Sequence, residues 1–144
     1  MLPDVLPAAQ AFLLADAATA ALVATRVFAH RTPNGYPPDN QAWLVLSPIV
    51  ERSITNTSID RTTDASIQLE AFGRYLEDHK YARLIVATAH DALRSGFPAY
   101  NGDPDVRITS VLPSAGIQPI PDNEFNRARC IATVRVIAYP KVAA

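Results

Sequence analysis

Asp64-Ala65-Ser66-Ile67-Gln68-Leu69-Glu70-Ala71-Phe72-Gly73 is the stretch on which the fold turns. Ala65, Ile67, Leu69 and Ala71 fall on one face, and Ser66, Gln68 and Glu70 on the other. Alternation at period two belongs to a strand with one covered and one solvated face, the usual condition of an antiparallel sheet. Upstream, Ala42 to Val50 contains Trp43-Leu44-Val45-Leu46-Ser47-Pro48-Ile49-Val50 and is apolar almost throughout. It predicts a strand covered on both faces, with Pro48 marking an edge or a bulge because proline donates no ladder bond. Downstream, residues 76–95 predict a long helix. Tyr81, Leu84, Ile85, Thr88, Ala89, Ala92 and Leu93 recur at three and four as its buried face, and Gly96 is placed as a left-handed stop.

Working outward, Asp4 is a candidate cap for a helix to about Ala15, with Pro7 tolerated in the first turn. Asp16 caps a second, alanine-rich helix through Ala24, which ends at the β-prone Arg26-Val27-Phe28. Thr32 to Asn40, rich in Pro, Asn and Gly, is a surface loop. Beyond the turn at 98–104, strands are expected at Val106 to Leu112 and at Arg129 to Tyr139, with an irregular proline-spaced segment to Asp122 between them. The expected class is α+β. About four strands form an antiparallel-dominated sheet, with the N-terminal helices and the helix at 76–95 packed on one side.

The 144 residues suit a single domain, 1–144, burying about 70% of its unfolded surface. Apolar residues are 49% and the net charge is -1, which excludes a disordered tail. Lys+Arg is 13 against 14 Asp+Glu, which argues against nucleic-acid binding by bulk charge. The apolar stretch from Ala8 to Val27 is interrupted by Gln10, Asp16, Thr19, Thr25 and Arg26, so no membrane span is expected. Asp4 precedes it without Lys or Arg, a poor match to a secretory signal, and an intracellular site of synthesis is the default.

Candidate chemistry is sparse. His79 and His90 lie three turns apart on one helix, about 16 Å, too far to share a metal; His30 has no local partner. Cys130 lies beside Arg129, which lowers a thiol pKa where the two meet, but it is also in register with Ala132, Val134 and Val136 as a core residue. Asn101-Gly102-Asp103-Pro104-Asp105 lacks the closing Glu of a calcium loop and reads as a turn. No phosphate-binding or nucleophile-elbow motif is present. No catalytic, cofactor-binding or metal residue is assigned, and no cofactor is expected.

One connection stands out. Glu51 to Thr63 joins two strands over a span far longer than an ordinary hairpin loop, is β-prone, and carries no Pro or Gly. It reads either as a mobile polar loop or as an arm that extends the hairpin and pairs with a neighbouring subunit's sheet edge. Pro48, Glu51, Arg52, Ile54, Ile59 and Arg61 are the candidate subunit-interface residues.

Taken together, the chain resembles phage tail terminator proteins, also called tail completion or head-tail joining proteins. The likeness is carried by Leu2-Pro3-Asp4-Val5, Trp43-Leu44-Val45-Leu46-Ser47, Ala65-Ser66-Ile67-Gln68-Leu69-Glu70-Ala71-Phe72 and Ile131-Ala132-Thr133-Val134-Arg135-Val136. It implies a non-enzymatic virion protein of the tail and neck, assembled in the bacterial host cytoplasm. Such a protein forms a ring, commonly a hexamer, that caps the tail tube, fixes its length and presents a surface to the head connector. The implied partners are copies of itself, the tail tube protein and the neck protein, with DNA met only as it passes through the lumen. Two other readings stand beside it: a different neck or head-completion component, and a small α+β enzyme or ligand-binding domain using His30, His79 or Cys130.

Overall fold

The computed structural model describes residues 5–36, 40–53, 63–120 and 125–140. Helices α1 (Val5–Ala15) and α2 (Ala17–Val23) lead into β1 (Val27–Ala29), β2 (Trp43–Ser53) and β3 (Thr63–Phe72). Helix α3 (His79–Gly96), a 3-10 turn at Phe97–Ala99, β4 (Val106–Ile120) and β5 (Arg129–Pro140) complete the order. The strands form one sheet in the order β1-β2-β3-β5-β4.

β3 is the centre of that sheet, antiparallel to β2 and to β5. Its expected faces hold: Ala65, Ile67, Leu69 and Ala71 are buried, and Ser66, Gln68 and Glu70 are half-buried. β5 repeats the pattern with Cys130, Ala132, Val134, Val136 and Ala138 buried in the same layer. Helix α3 covers these residues with Ala82, Ile85, Val86, Ala89 and Leu93, all fully buried. Burying a side chain the size of Ile85 or Leu93 contributes about 1.5–3 kcal/mol. Alanines on both surfaces let the helix lie close to the sheet. Helices α1 and α2, bent by 83° from each other, extend the same layer. At the break the Asp16 carboxylate accepts from the Thr19 N–H at 2.9 Å and the Thr19 hydroxyl at 2.7 Å, the expected cap.

Several expectations are corrected. The sheet has five strands and is mixed, because Val27–Ala29 continues past its role as a helix stop and pairs parallel with Leu44–Leu46. Helix α3 begins at His79 rather than 76, because a turn occupies residues 74–78. There the Arg74 N–H and guanidinium donate to the Asp78 carboxylate at 2.9 and 2.8 Å, and the Ala128 N–H donates to the Tyr75 carbonyl. The buried face of α3 is rotated from the expected one: Ala82 and Val86 face the sheet, and Leu84 is 49% exposed. Gly96 has φ -111°, not a left-handed value, and the chain passes directly into the 3-10 turn. Glycine there leaves room for the Phe12 ring, whose Cζ would lie 2.8 Å from an added Cβ. The segment after Leu112 is not irregular; β4 runs on to Ile120 with register shifts after Ile108, Pro113 and Ala115. β4 is an edge strand, which tolerates Pro113 and Pro119 because proline's missing N–H need not deprive a neighbour. The proposed Asp4 cap lies outside the described residues.

Gly73 sits where β3 turns into the 74–78 loop, and an added Cβ would meet the Asp78 carbonyl oxygen at 2.8 Å and its Cβ at 2.9 Å. Gly73→Ala is therefore expected to lower unfolding free energy by about 1–3 kcal/mol in a urea titration. At Gly116 nothing lies within 4 Å, so Gly116→Ala should stay within about 0.5 kcal/mol of wild type.

Candidate functional site

Of the residues singled out for subunit contact, the described ones, Pro48, Glu51 and Arg52, fall at one end of the sheet. Pro48 lies on β2 opposite Ile67, and the register shifts between Pro48 and Val50, so the expected bulge is there. The expected edge is there as well. β1 accompanies β2 only from Leu44 to Leu46, ending where the His30 N–H donates to the Leu46 carbonyl at 2.7 Å. Beyond that point no strand lies on the outer side of β2 among the described residues. The backbone of Glu51 and Arg52 pairs with Ala65 and Asp64, so both belong to the β2–β3 ladder. Ile54, Ile59 and Arg61 lie outside the described residues.

Among the described residues, the sheet face turned away from the helices is covered only in part. At one end Trp43 stacks on Phe72 with ring centroids 4.6 Å apart, and Tyr36 and Phe125 meet Trp43 edge-on. The Trp43 indole N–H donates to the Thr32 hydroxyl at 3.0 Å, and the Arg127 guanidinium lies over the indole. This second cluster explains why β2 is apolar on both faces. Its contributors at 28, 36 and 125 are far apart in sequence and carry no shared periodicity. Further along, ion pairs replace aromatics: Arg129 with Glu70 at 2.7 Å, and Arg135 with Asp64 at 2.6 Å.

Along the start of α3 runs an open groove of about 570 Å³, walled by Tyr75, Tyr81 and Leu84 with Lys80 and Arg83 at its rim. The Arg74 guanidinium stacks on the Tyr81 ring at 4.1 Å while paired with Asp78. The Tyr81 hydroxyl donates to the Leu22 carbonyl at 2.8 Å, tying α3 to α2. Burial pushes the Asp78 carboxyl up, but the hydrogen bonds and charge of Arg74 outweigh it and hold the group below its ordinary value. Tyr75 and Leu76 leave half their surface in water, a patch that sequence reading missed because it placed both near or inside the helix.

The reactive side chains do not converge, although the Cys130 thiol donates to the backbone carbonyl of His79 at 3.9 Å. His30 is exposed with φ 74°, His79 is exposed at the first position of α3, and His90 is half-buried. Burial and then Arg94 lower the His90 pKa. Cys130 is buried in the core, where burial raises its thiol pKa against a smaller lowering by Arg83. That is the reverse of nucleophile activation. Asp103 closes a turn, its carboxylate accepting from the N–H groups of Asp105 and Val106 at 2.8 and 3.0 Å. Among the described residues no group of three or more His, Cys, Asp or Glu converges on a point where a metal ion fits.

A family model described as tail completion protein gp17 matches residues 7–136. Among solved structures, a chain from the virion of a native gene transfer agent particle superposes with a TM-score of 0.65 at 17% identity, covering 91% of each chain. At that identity the likeness is one of fold. No curated protein matches the sequence significantly.

The Arg74–Asp78 pair has a pH signature. A carboxyl held below its unfolded value of 3.8 stabilises the folded state above that pH, and the contribution disappears as pH falls through the lower folded value. Urea titrations of wild type and Asp78→Asn should therefore differ most near pH 6–7, with the wild type more stable, and should converge as pH drops below about 4.

Proposed function

The chain belongs to the tail completion protein gp17 family, structural proteins of the phage tail and neck, and from that premise we propose that it forms a ring, a hexamer, that caps the tail tube. The ring ends tube growth and offers its far surface to the head connector, with DNA passing through its lumen. What supports this reading is family membership over nearly the whole chain, 7–136 of 144 residues.

The physical features of the chain suit the role. A closed ring is built from head-to-tail contacts, in which two different patches on each subunit meet. The outer edge of β2 beyond Pro48, through Glu51 and Arg52, is the proposed first patch, with Ile54, Ile59 and Arg61 as its further candidate members. The near-neutral charge, -1 per chain, keeps repulsion between copies small. The other reading, a different phage neck or head-completion component, differs in its partner: it binds the portal or adaptor rather than tube protein.

Native mass spectrometry of the purified chain, alone and with tail-tube protein from the same genome, tests the reading. The expected result is a closed species near 94 kDa, six copies of the 15.6 kDa chain, formed alone or templated by tube. A chain that stays monomeric with tube present, or that binds only portal or adaptor, contradicts it. Replacing Ile54 and Ile59 together with Asp should weaken assembly while leaving the monomer's urea midpoint unchanged; unaltered ring stability removes the arm from the contact.

A further inference from the structure

Two edges of the sheet are open, and they match. On β2 the stretch Ser47–Ser53 has no strand on its outer side among the described residues, since β1 stops at Ala29. At the far edge, β4 pairs only with β5 among the described residues, which leaves its outer side open there as well. The residue rows cross the sheet from one edge to the other. Pro48 faces Ile67, Ile67 faces Val134 and Val134 faces Pro113; in the next row Val50, Ser66, Arg135 and Leu112 align. Ile49, the bulge residue between those rows, and Leu112 therefore stand at the same level on opposite edges. They are 52% and 44% exposed, large apolar side chains that the monomer leaves in water.

Direction matches too. β2, β3, β5 and β4 are successively antiparallel, so β4 runs opposite to β2. A copy placed sideways against the next, related by rotation about an axis along the strands, sets β4 beside the neighbour's β2 in antiparallel sense and at the same level. With Ile49 opposite Leu112, antiparallel pairing sets Ser47–Ser53 beside Ile108–Ser114, seven residues on each side. Of the latter, Ile108-Thr109-Ser110-Val111-Leu112 is β-prone and carries no Lys or Pro, the residues that ordinarily guard an edge against pairing.

Resting on the ring reading above, we propose that the second patch is the outer edge of β4, Ile108–Ser114, which accepts the outer edge of β2, Ser47–Ser53, from the neighbouring copy. The pairing brings Ile49 against Leu112 and joins the sheets of successive subunits into one. It uses two different surfaces and repeats around an axis, which is what a ring requires. Backbone hydrogen bonds supply the affinity and the apolar pair fixes the register.

The test is a disulfide between copies of the full-length chain carrying both Ile49→Cys and Leu112→Cys, oxidised under the conditions in which wild type assembles. Within one chain the two positions are three strand spacings apart, roughly 14 Å, beyond the reach of a disulfide. Between copies, opposed residues lie about 5 Å apart, within reach, and the native Cys130 is buried. A ladder of covalent multimers ending at the ring's own stoichiometry is expected, with no ladder from either single variant. Ile49→Lys and Leu112→Lys, at positions exposed in the monomer, should each raise the concentration for half-assembly about tenfold or more while leaving the urea midpoint unchanged. Rings that form without the cross-link, or Lys variants that assemble like wild type, overturn the edge pairing and leave the ring standing. A chain that forms no oligomer with or without tube protein overturns both.

Discussion

The contact between α3 and the helix-facing side of β3 and β5 is the one on which the other elements depend. Ala82, Ile85, Val86, Ala89 and Leu93 lie against a layer of Ala65, Ile67, Leu69, Ala71, Ala132 and Val134. Small residues on both surfaces draw the helix near, and the branched side chains between them fill the remaining volume at crystal-like density. Everything needed to position α3 serves that contact. Gly73 gives the Asp78 backbone room, Arg74 and Asp78 lock the turn, and Gly96 makes way for Phe12 at the other end.

A sheet covered by helices on one face has its other face and its edges left to deal with. Here the opposite face is closed at one end by Trp43, Phe72, Tyr36 and Phe125 and carries paired charges beyond them. The edges are treated differently. β1 shields three residues of β2 and then stops, and β4 is shielded by nothing among the described residues. For a monomer, a long β-prone edge is a route to aggregation. For a subunit of the closed ring proposed above, the same edge is used up in assembly.

The strands with clean alternation, β3 and β5, were legible in sequence because period two survives wherever one face is solvated, and Cys130 followed from its register. Pro48 was legible because a residue without an N–H restricts where a strand can be. What escaped depends on neighbours distant in sequence. Val27–Ala29 is a strand only because Leu44–Leu46 is there to pair with it, and three residues hold no period of their own. β4 continues through two prolines because it is an edge, and edge position is a property of topology. Leu84 has the right spacing for a buried face, yet the close approach made by Ala82 and Val86 rotates it out. Of the expected interface, Pro48 and the Glu51–Arg52 backbone were placed, whereas Ile54, Ile59 and Arg61 fall outside the described residues. The matching of Ile49 with Leu112 needed the register of four strands, which no single stretch of sequence carries.

The proposed role, ending the growth of a tail tube, is read out by tail length in the electron microscope. Particles would be produced from the parent genome with the gene intact and with it removed. If the protein caps the tube, its loss yields tubes of abnormal and widely distributed length that are not joined to heads, and supplying the chain in trans restores one length. Tails of normal, uniform length in its absence would contradict that role.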